Sequence, residues 1–189
     1  MHDNFLFLEL LDAEINGLLF CIRELASGSA KRTNIHVTLR GPYAGPVPLQ
    51  VMRRVERSLL KDTLLIANPG VFRNGATYVV YLAVTHRYLQ SVSWKRDFPV
   101  KDFGFNPHIT LYAGENGSRA ETLLEFLKEE RIELICSEFR VTTYARSSPP
   151  LIEEESCIQF FYPRLLNAGR IRADLLLRLK HRLRAPVRS

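Results

Sequence analysis

Cysteines are few in this sequence and long apolar runs are missing, and each scarcity excludes a class of protein. The three cysteines, Cys21, Cys136 and Cys157, are odd in number and far apart, which fits neither a disulfide framework nor the paired spacing of a zinc site. The apolar run at residues 79–84 is far too short to cross a bilayer as a helix. Acidic residues interrupt the apolar N-terminal stretch, where a signal peptide needs an unbroken core. We therefore expect a cytoplasmic protein without an integral membrane segment.

What the chain does have is an ordinary globular composition with an excess of positive charge. Of its 189 residues, 46% are apolar and 24% are charged, which predicts one self-sufficient domain spanning residues 1–189. The net charge of +6 and the pI near 9.4 favour anionic partners such as nucleotides or RNA. We expect a monomer whose main partner is a nucleotide, RNA or oligonucleotide substrate.

Much of the positive charge lies near the C-terminus. Apolar residues recur there at helical spacing, which predicts a basic amphipathic helix at about residues 168–184. Its apolar stripe consists of Ile171, Leu175, Leu176, Leu179 and Leu183. We expect this stripe to dock on the body of the protein and the arginines to be solvated, with weak contact to an anionic surface as a secondary role.

Apolar periodicity and the positions of proline and glycine predict alternating strands and helices. The pair Asn74-Gly75, between two expected strands, is a strong hairpin signal. The order of elements predicts an α+β fold with two pseudo-symmetric lobes, the first ending near Thr85, whose antiparallel-rich sheets line a central cleft with helices outside. Strands are expected at residues 5–10, 35–39, 64–72, 77–85, 108–111, 133–144 and 157–162, and helices at 12–25, 49–61, 87–94, 119–130 and the C-terminal segment.

One short motif occurs twice, as HVTL from His36 and as HITL from His108, once in each expected lobe. Because alternate residues of a strand face the same side, the apolar positions of each motif can pack into a core while the polar positions line a cleft. Parity places Thr38 and Arg40 on the His36 face and Thr110 and Tyr112 on the His108 face.

Two imidazoles across a cleft can divide proton transfer, because histidine titrates near physiological pH. His36 and His108 are thus candidate catalytic residues, and the hydroxyls of Thr38 and Thr110 are candidate ligands of a phosphodiester. This chemistry needs no metal and no cofactor, and neither motif carries the acidic or thiol neighbours typical of a metal site. Arg40, as a charge for phosphate, and Tyr112, as a stacking or hydrogen-bonding wall, are further candidate substrate contacts.

The paired H-x-T motifs, the second preceded by proline as Phe105-Asn106-Pro107-His108, resemble those of the 2H phosphoesterases, which include 2′-5′ RNA ligase-like proteins and cyclic nucleotide phosphodiesterases. The resemblance covers the chain to about Tyr162 in topology. It implies a bilobal fold with both motifs facing one groove, His36 and His108 as catalytic residues, and Thr38 and Thr110 as phosphate ligands. It also implies metal-independent cleavage of 2′-5′ linkages, 2′,3′-cyclic phosphates, or cyclic or linear oligonucleotides.

Alternatives to catalysis remain open at this stage. The same cleft could bind nucleotides or RNA ends without cleaving them, although binding alone does not need two proton-transfer groups. A third possibility is an interaction protein acting through its basic terminal helix. Which histidine starts as the base is not encoded in the motif, and the pair should titrate as a coupled unit.

Overall fold

The structure is a computed structural model that describes residues 4–27, 34–59, 62–92, 106–145 and 170–184. The expected strand at residues 157–162 and the side chain of Ile171 lie outside the described residues. Seven strands and five helices occur within these ranges. The strands are β1 (Asn4–Leu10), β2 (His36–Tyr43), β3 (Leu64–Asn74), β4 (Thr77–Thr85), β5 (His108–Gly114), β6 (Leu134–Cys136) and β7 (Phe139–Ala145). The helices are α1 (Ala13–Ser27), α2 (Leu49–Leu59), α3 (Leu89–Val92), α4 (Gly117–Glu129) and α5 (Arg170–Arg184).

The strands form two antiparallel sheets, which confirms the α+β class. The three-stranded sheet has the order β2-β1-β7, and the four-stranded sheet has the order β5-β4-β3-β6. Among the strands that the structure describes, each motif strand is therefore an edge strand of its own sheet. The two edge strands β2 and β5 contact each other, so the point where the sheets meet is the point where the two motifs meet.

Local sequence signals explain where several elements begin and turn. The Asp12 Oδ1 atom accepts hydrogen bonds from the backbone N–H groups of Glu14 (3.0 Å) and Ile15 (2.9 Å), which caps α1. In the confirmed β3–β4 hairpin, Asn74 pairs with Thr77, so the loop is residues 75–76. Gly75 adopts a φ of 61° there, a conformation that favours glycine.

The first motif strand is longer than its sequence predicts. The expected strand ends at residue 39, but β2 continues to Tyr43 through a cis Gly41-Pro42 peptide bond. Gly41 has a φ of 131°, and a Cβ atom there would lie 2.9 Å from the carbonyl oxygen of Asn4. Glycine is therefore required for the strand to pass this point.

The expected single strand at residues 133–144 is wrong, because this segment is two strands in different sheets. β6 pairs with β3, whereas β7 pairs with β1. The chain crosses between the sheets at Ser137 and Glu138, where the Glu138 carbonyl accepts hydrogen bonds from the backbone N–H groups of Leu11 (2.8 Å) and Asp12 (3.2 Å). Each sheet consequently contains strands from both halves of the chain, and the expected first lobe ending near Thr85 is not a sheet of its own.

Helices cover the sheets and close the core. α1 packs against β1 and β5, and α4 packs against β3, β4 and β5. Leu6, Leu8 and Leu10 alternate along β1 into the fully buried core, as the period of a half-buried strand requires. This alternation leaves Phe5 and Phe7 on the opposite face, beside the first motif.

The C-terminal helix α5 docks on α1 and α4, which confirms the predicted role of its apolar stripe. Leu176 and Leu179 are buried, and Leu175 and Leu183 pack against the core in part. Two of its arginines are not merely solvated as expected, because Arg178 and Arg182 form ion pairs with carboxylates of α4 and the turn after it. The N···O distances are 2.9 Å for Arg178–Glu130 and 2.6 Å for Arg182–Glu129. None of the helices in the described ranges has the length and apolar character needed to cross a membrane.

Docking of α5 predicts unequal costs for two neighbouring leucines. Leu179 is fully buried and Leu177 is 42% exposed. Replacement Leu179→Ala should lower the free energy of unfolding by about 2 to 5 kcal/mol through lost burial and a residual cavity. Leu177→Ala should change it by less than about 0.5 kcal/mol. Urea unfolding followed by circular dichroism measures both, and equal midpoints for the two variants would contradict the docked position of the helix.

Candidate active site

A cavity of about 170 Å³ lies between the edge strands β2 and β5. The structure brings together in its wall the four residues that the sequence singles out from the two motifs. The lining includes Arg23, His36, Thr38, His108, Thr110 and Tyr112. The two histidines are close enough for the charge of His108 to act on His36. One hollow thus holds two imidazoles and two hydroxyls from opposite halves of the sequence.

A β-bulge follows the first motif and corrects the prediction for Arg40. Thr38 pairs with Phe7 and Arg40 pairs with Leu6, so Leu39 is an extra residue in the ladder. The extra residue reverses the alternation that parity assumed. Arg40 is consequently buried rather than in the cavity wall, with its guanidinium 5.9 Å from the centroid of the Tyr43 ring.

A bulge follows the second motif at the equivalent position. Thr110 pairs with Tyr81 and Tyr112 pairs with Val80, which leaves Leu111 as the extra residue. This bulge also breaks the parity from which Tyr112 was placed, and Tyr112 is buried like Arg40, with its hydroxyl donating to the Asn116 carbonyl at 3.3 Å; unlike Arg40, it still contributes to the cavity lining. A substrate-contacting role for Tyr112 stays a prediction. The two motifs are therefore alike in structure as well as in sequence, because each H-x-T-L segment has a β-bulge at its leucine.

The two imidazoles are held in the same way. Nδ1 of His36 donates to the carbonyl oxygen of Asn34 at 2.7 Å, and Nδ1 of His108 donates to that of Asn106 at 2.6 Å. A carbonyl can only accept, so Nδ1 carries a proton in both rings. Proton transfer must then use Nε2. The sequence contains this signal as N-x-H-x-T-L in both halves, and the shorter motif missed the asparagine.

An aromatic ring packs against each histidine from the neighbouring strand. Phe7, which pairs with Thr38, stacks on His36 with centroids 4.0 Å apart and an interplanar angle of 15°. Tyr81, which pairs with Thr110, lies 5.0 Å from His108 at 52°. Further rings extend both walls, namely Tyr144 beside Phe7 and Phe72 beside His108. Each half-site, meaning one motif histidine with the residues packed around it, therefore combines an imidazole with an aromatic wall. Periodicity alone did not identify these aromatic residues as part of the site.

Two charged residues that sequence reasoning missed lie beside His36. Arg23 comes from α1, is 5% exposed and donates from Nη1 to the Asn34 carbonyl at 3.5 Å. Glu9 comes from β1, is 6% exposed and accepts hydrogen bonds from the Asn34 side chain and from Nε of Arg140, the latter at 2.7 Å. Charged residues are rarely so buried unless they are paired or functional. Their position at otherwise apolar stretches of α1 and β1 was the signal available in the sequence.

Burial lowers the pKa of His36 below its ordinary value. The positive charges of Arg23 and His108 act in the same direction, whereas the hydrogen bond to Asn34 and the charge of Glu9 oppose them. His36 is therefore neutral at neutral pH, with Nδ1 protonated and a lone pair on Nε2. An imidazole in this state can accept a proton from a hydroxyl group or a water molecule.

His86, which directly follows β4, uses its two ring nitrogens in the opposite way. His86 is buried, its Nε2 donates to the Leu59 carbonyl at 3.0 Å, and its Nδ1 accepts from the backbone N–H of Tyr88 at 3.1 Å. Both of its nitrogens are used within the fold, so we assign it a structural role. Within the ranges that the structure describes, no three or more histidine, cysteine, aspartate or glutamate side chains are grouped so as to hold a metal ion.

Comparison with protein-family models, with curated proteins and with solved structures finds no match for this chain.

The hydrogen bonds predict the tautomers of three histidines. At pH 8, long-range ¹H–¹⁵N correlation spectra should show His36 and His108 protonated at Nδ1, because a carbonyl faces that nitrogen in each. His86 should show protonation at Nε2 and serves as the internal control. If His36 and His108 shared the tautomer of His86, the orientation of both rings described above would be incorrect.

Proposed function

We propose that this protein is a metal-independent phosphodiesterase of the 2H type, with a bilobal, pseudo-symmetric fold whose halves meet at the cavity. The observation that carries the proposal is the convergence of His36, Thr38, His108 and Thr110 in one cavity. The equivalent bulges and the equivalent Nδ1 hydrogen bonds support the pseudo-symmetry. The coincidence of these features is difficult to explain for two unrelated structural histidines.

The size and charge of the cavity favour a phosphodiester group as the occupant. Its volume of about 170 Å³ is below the roughly 300 to 1,000 Å³ of pockets that enclose a whole small ligand. A phosphodiester fits between the histidines, while the attached sugars and bases extend over the aromatic walls of Phe7 and Tyr81. The guanidinium of Arg23 and the two threonine hydroxyls complement the negative charge of the phosphate.

The chemistry follows from two imidazoles that can each transfer a proton through Nε2. One removes the proton of the attacking group, which is a neighbouring ribose hydroxyl for a linear 2′-5′ linkage and a water molecule for a cyclic phosphate. As the new P–O bond forms and the old one breaks, the other imidazole gives its proton to the leaving oxygen. The hydroxyls of Thr38 and Thr110 stabilise the charge that develops on the non-bridging oxygens.

The docked helix α5 bears on the two remaining alternatives. The described part of its apolar stripe packs against α1, α4 and the core, so that face is not available to a partner, although Lys180 and Arg184 remain exposed for weak anionic contact. A non-cleaving nucleotide or RNA-end binding module uses the same cavity and is separated from catalysis only by experiment.

We further propose a cytoplasmic monomer, in keeping with the buried free thiols of Cys21 and Cys136.

Removing either imidazole should abolish most of the activity. The wild-type protein is incubated in EDTA with 2′-5′ and 3′-5′ oligoadenylates, 2′,3′-cyclic nucleotides and cyclic oligonucleotides, and the ends of the products are identified. His36→Ala and His108→Ala should each reduce turnover by about 10² to 10⁴-fold, since each removes one proton-transfer group. The exposed His181→Ala is the matched control and should retain full activity.

Two outcomes of that panel would oppose the proposal. Near-wild-type turnover in either active-site variant, with folding verified by thermal unfolding, refutes the two-histidine assignment. Binding of the panel without any product identifies the binding module instead.

The threonine hydroxyls should contribute less than the imidazoles. Thr38→Val and Thr110→Val keep the side-chain shape and remove one hydrogen bond to a charged oxygen, a loss of about 1.5 to 3 kcal/mol. We expect kcat/KM to fall by about 10 to 100-fold in each, measured on the best substrate of the panel. Thr85→Val, at an exposed position of β4, should leave it unchanged; an equal loss there would show that the effect is not specific to the cavity.

A further inference from the structure

The two half-sites hold their histidines alike but support them differently, and the difference centres on Asn34. Three groups converge on this residue. Its side-chain amide donates to the Glu9 carboxylate, and its carbonyl accepts from Nδ1 of His36 at 2.7 Å and from Nη1 of Arg23 at 3.5 Å. Asn34 is thereby tied to two neighbouring elements, β1 and α1, while it holds the imidazole of His36.

Glu9 anchors this arrangement within the sheet. It lies directly opposite His36 in the β1–β2 register. Its other carboxylate oxygen accepts from Nε of Arg140, which lies opposite Glu9 on β7. A buried carboxylate whose two oxygens are both hydrogen-bonded is fixed in place. Hydrogen bonds therefore run from β7 through β1 to the residue that orients His36.

At the corresponding positions of the second half-site, the described residues provide no equivalent of this support. Ala83 lies opposite His108, where Glu9 lies opposite His36. Asn106 is exposed, and its carbonyl meets Nδ1 of His108 at the protein surface. Among the described residues, the Asn106 carbonyl is the hydrogen-bond partner that orients His108, with Tyr81 and Phe72 packed against its ring, whereas hydrogen-bonded buried side chains also support His36.

We propose that Asn34 and Glu9 are positioning residues that fix His36 as the general base, while His108 is the general acid. The proposal rests on the proposed phosphodiesterase function. Nε2 of His36 takes the proton from the attacking hydroxyl or water as its oxygen bonds to phosphorus. The P–O bond to the leaving oxygen breaks, and Nε2–H of His108 transfers its proton to that oxygen. His36 ends as imidazolium and His108 as neutral imidazole, so protons and charge balance.

The charged groups around His36 favour this division of roles. Arg23 faces it from α1, His108 from β5 and Glu9 from β1, with Arg140 of β7 bound to Glu9. Burial and the two cationic neighbours keep His36 neutral, which is the state a base requires, and Glu9 limits how far its basicity falls. A positively charged His36 would form next to the Glu9 carboxylate, which stabilises it after proton uptake.

Asn34→Ala and Asn106→Ala form a matched pair, because the two residues occupy equivalent positions before their histidines. Asn34→Ala should lower kcat by about 10 to 100-fold with little change in KM, since a small displacement of a reacting group is costly. Asn106→Ala should lower it by less than about 3-fold. Asn34→Ala keeps the backbone carbonyl but removes the hydrogen bond to Glu9 that holds this carbonyl in place. In the long-range ¹H–¹⁵N spectra, His36 should therefore show a mixture of Nδ1–H and Nε2–H tautomers in Asn34→Ala, and His108 should keep the Nδ1–H tautomer in both variants.

Glu9→Gln tests the assignment of the base. It preserves an acceptor for Asn34 and removes a negative charge that raises the pKa of His36, so that pKa should fall further. Activity requires neutral His36 and is lost as pH falls below its pKa. The acidic limb of the kcat/KM profile should therefore move to lower pH while the alkaline limb stays in place.

Each result tests either the positioning of His36 by Asn34 or the role of His36 as the general base. An unchanged His36 tautomer in Asn34→Ala, or equal losses in the two asparagine variants, overturns the positioning. A shift of the alkaline limb in Glu9→Gln overturns the assignment of His36 as base. If wild-type protein cleaves nothing, the proposed function and the roles fail, but the spectra still decide the positioning. Should Asn34→Ala not fold, Asn34→Ser is compared with Asn106→Ser by the same measurements.

Discussion

The hydrogen bond from each imidazole Nδ1 to the carbonyl two residues earlier is the constraint on which the site depends. It occupies one ring nitrogen of His36 and of His108 and leaves the other to the cavity. The bond is possible because the chain enters each strand just before the histidine, where a carbonyl is not yet committed to the sheet ladder. A side chain two residues along the strand then shares the same face, which is why a threonine accompanies each histidine.

The edge position of both motif strands is the second requirement. An interior strand would have neighbours on both sides, whereas β2 and β5 each pair with a single strand among the described residues, and the two strands contact each other. The crossing of the chain at Ser137 and Glu138 adds β7 to the sheet of β1 and β2, while β5 and β6 join β3 and β4 in the other sheet, so each sheet contains strands from both halves. The cavity is thus a property of the whole fold rather than of either half.

The sequence predicted the elements well and their partners poorly. Alternation and helical spacing are local, so most of the strands, the β3–β4 hairpin and the stripe of α5 could be recognised. Sheet partners are chosen by non-local packing, and nothing in the pattern of residues 133–144 marks the change of sheet. The bulge that removes Arg40 from the cavity is equally invisible to parity. The four motif residues could be placed together because they repeat, while Arg23 and Glu9 could not, since each occurs once and belongs to another element.

The position of β7 also has a consequence for the order in which the protein can assemble. β7 completes the sheet that carries the first motif, yet it is synthesised after β5 and β6. Because an isolated pair of strands is only marginally stable in water, the pair β1–β2 gains its third strand only after residues 139–145 have been synthesised. A nascent chain that ends before β7 therefore contains both H-x-T-L motifs but lacks one strand of the sheet to which the first motif belongs.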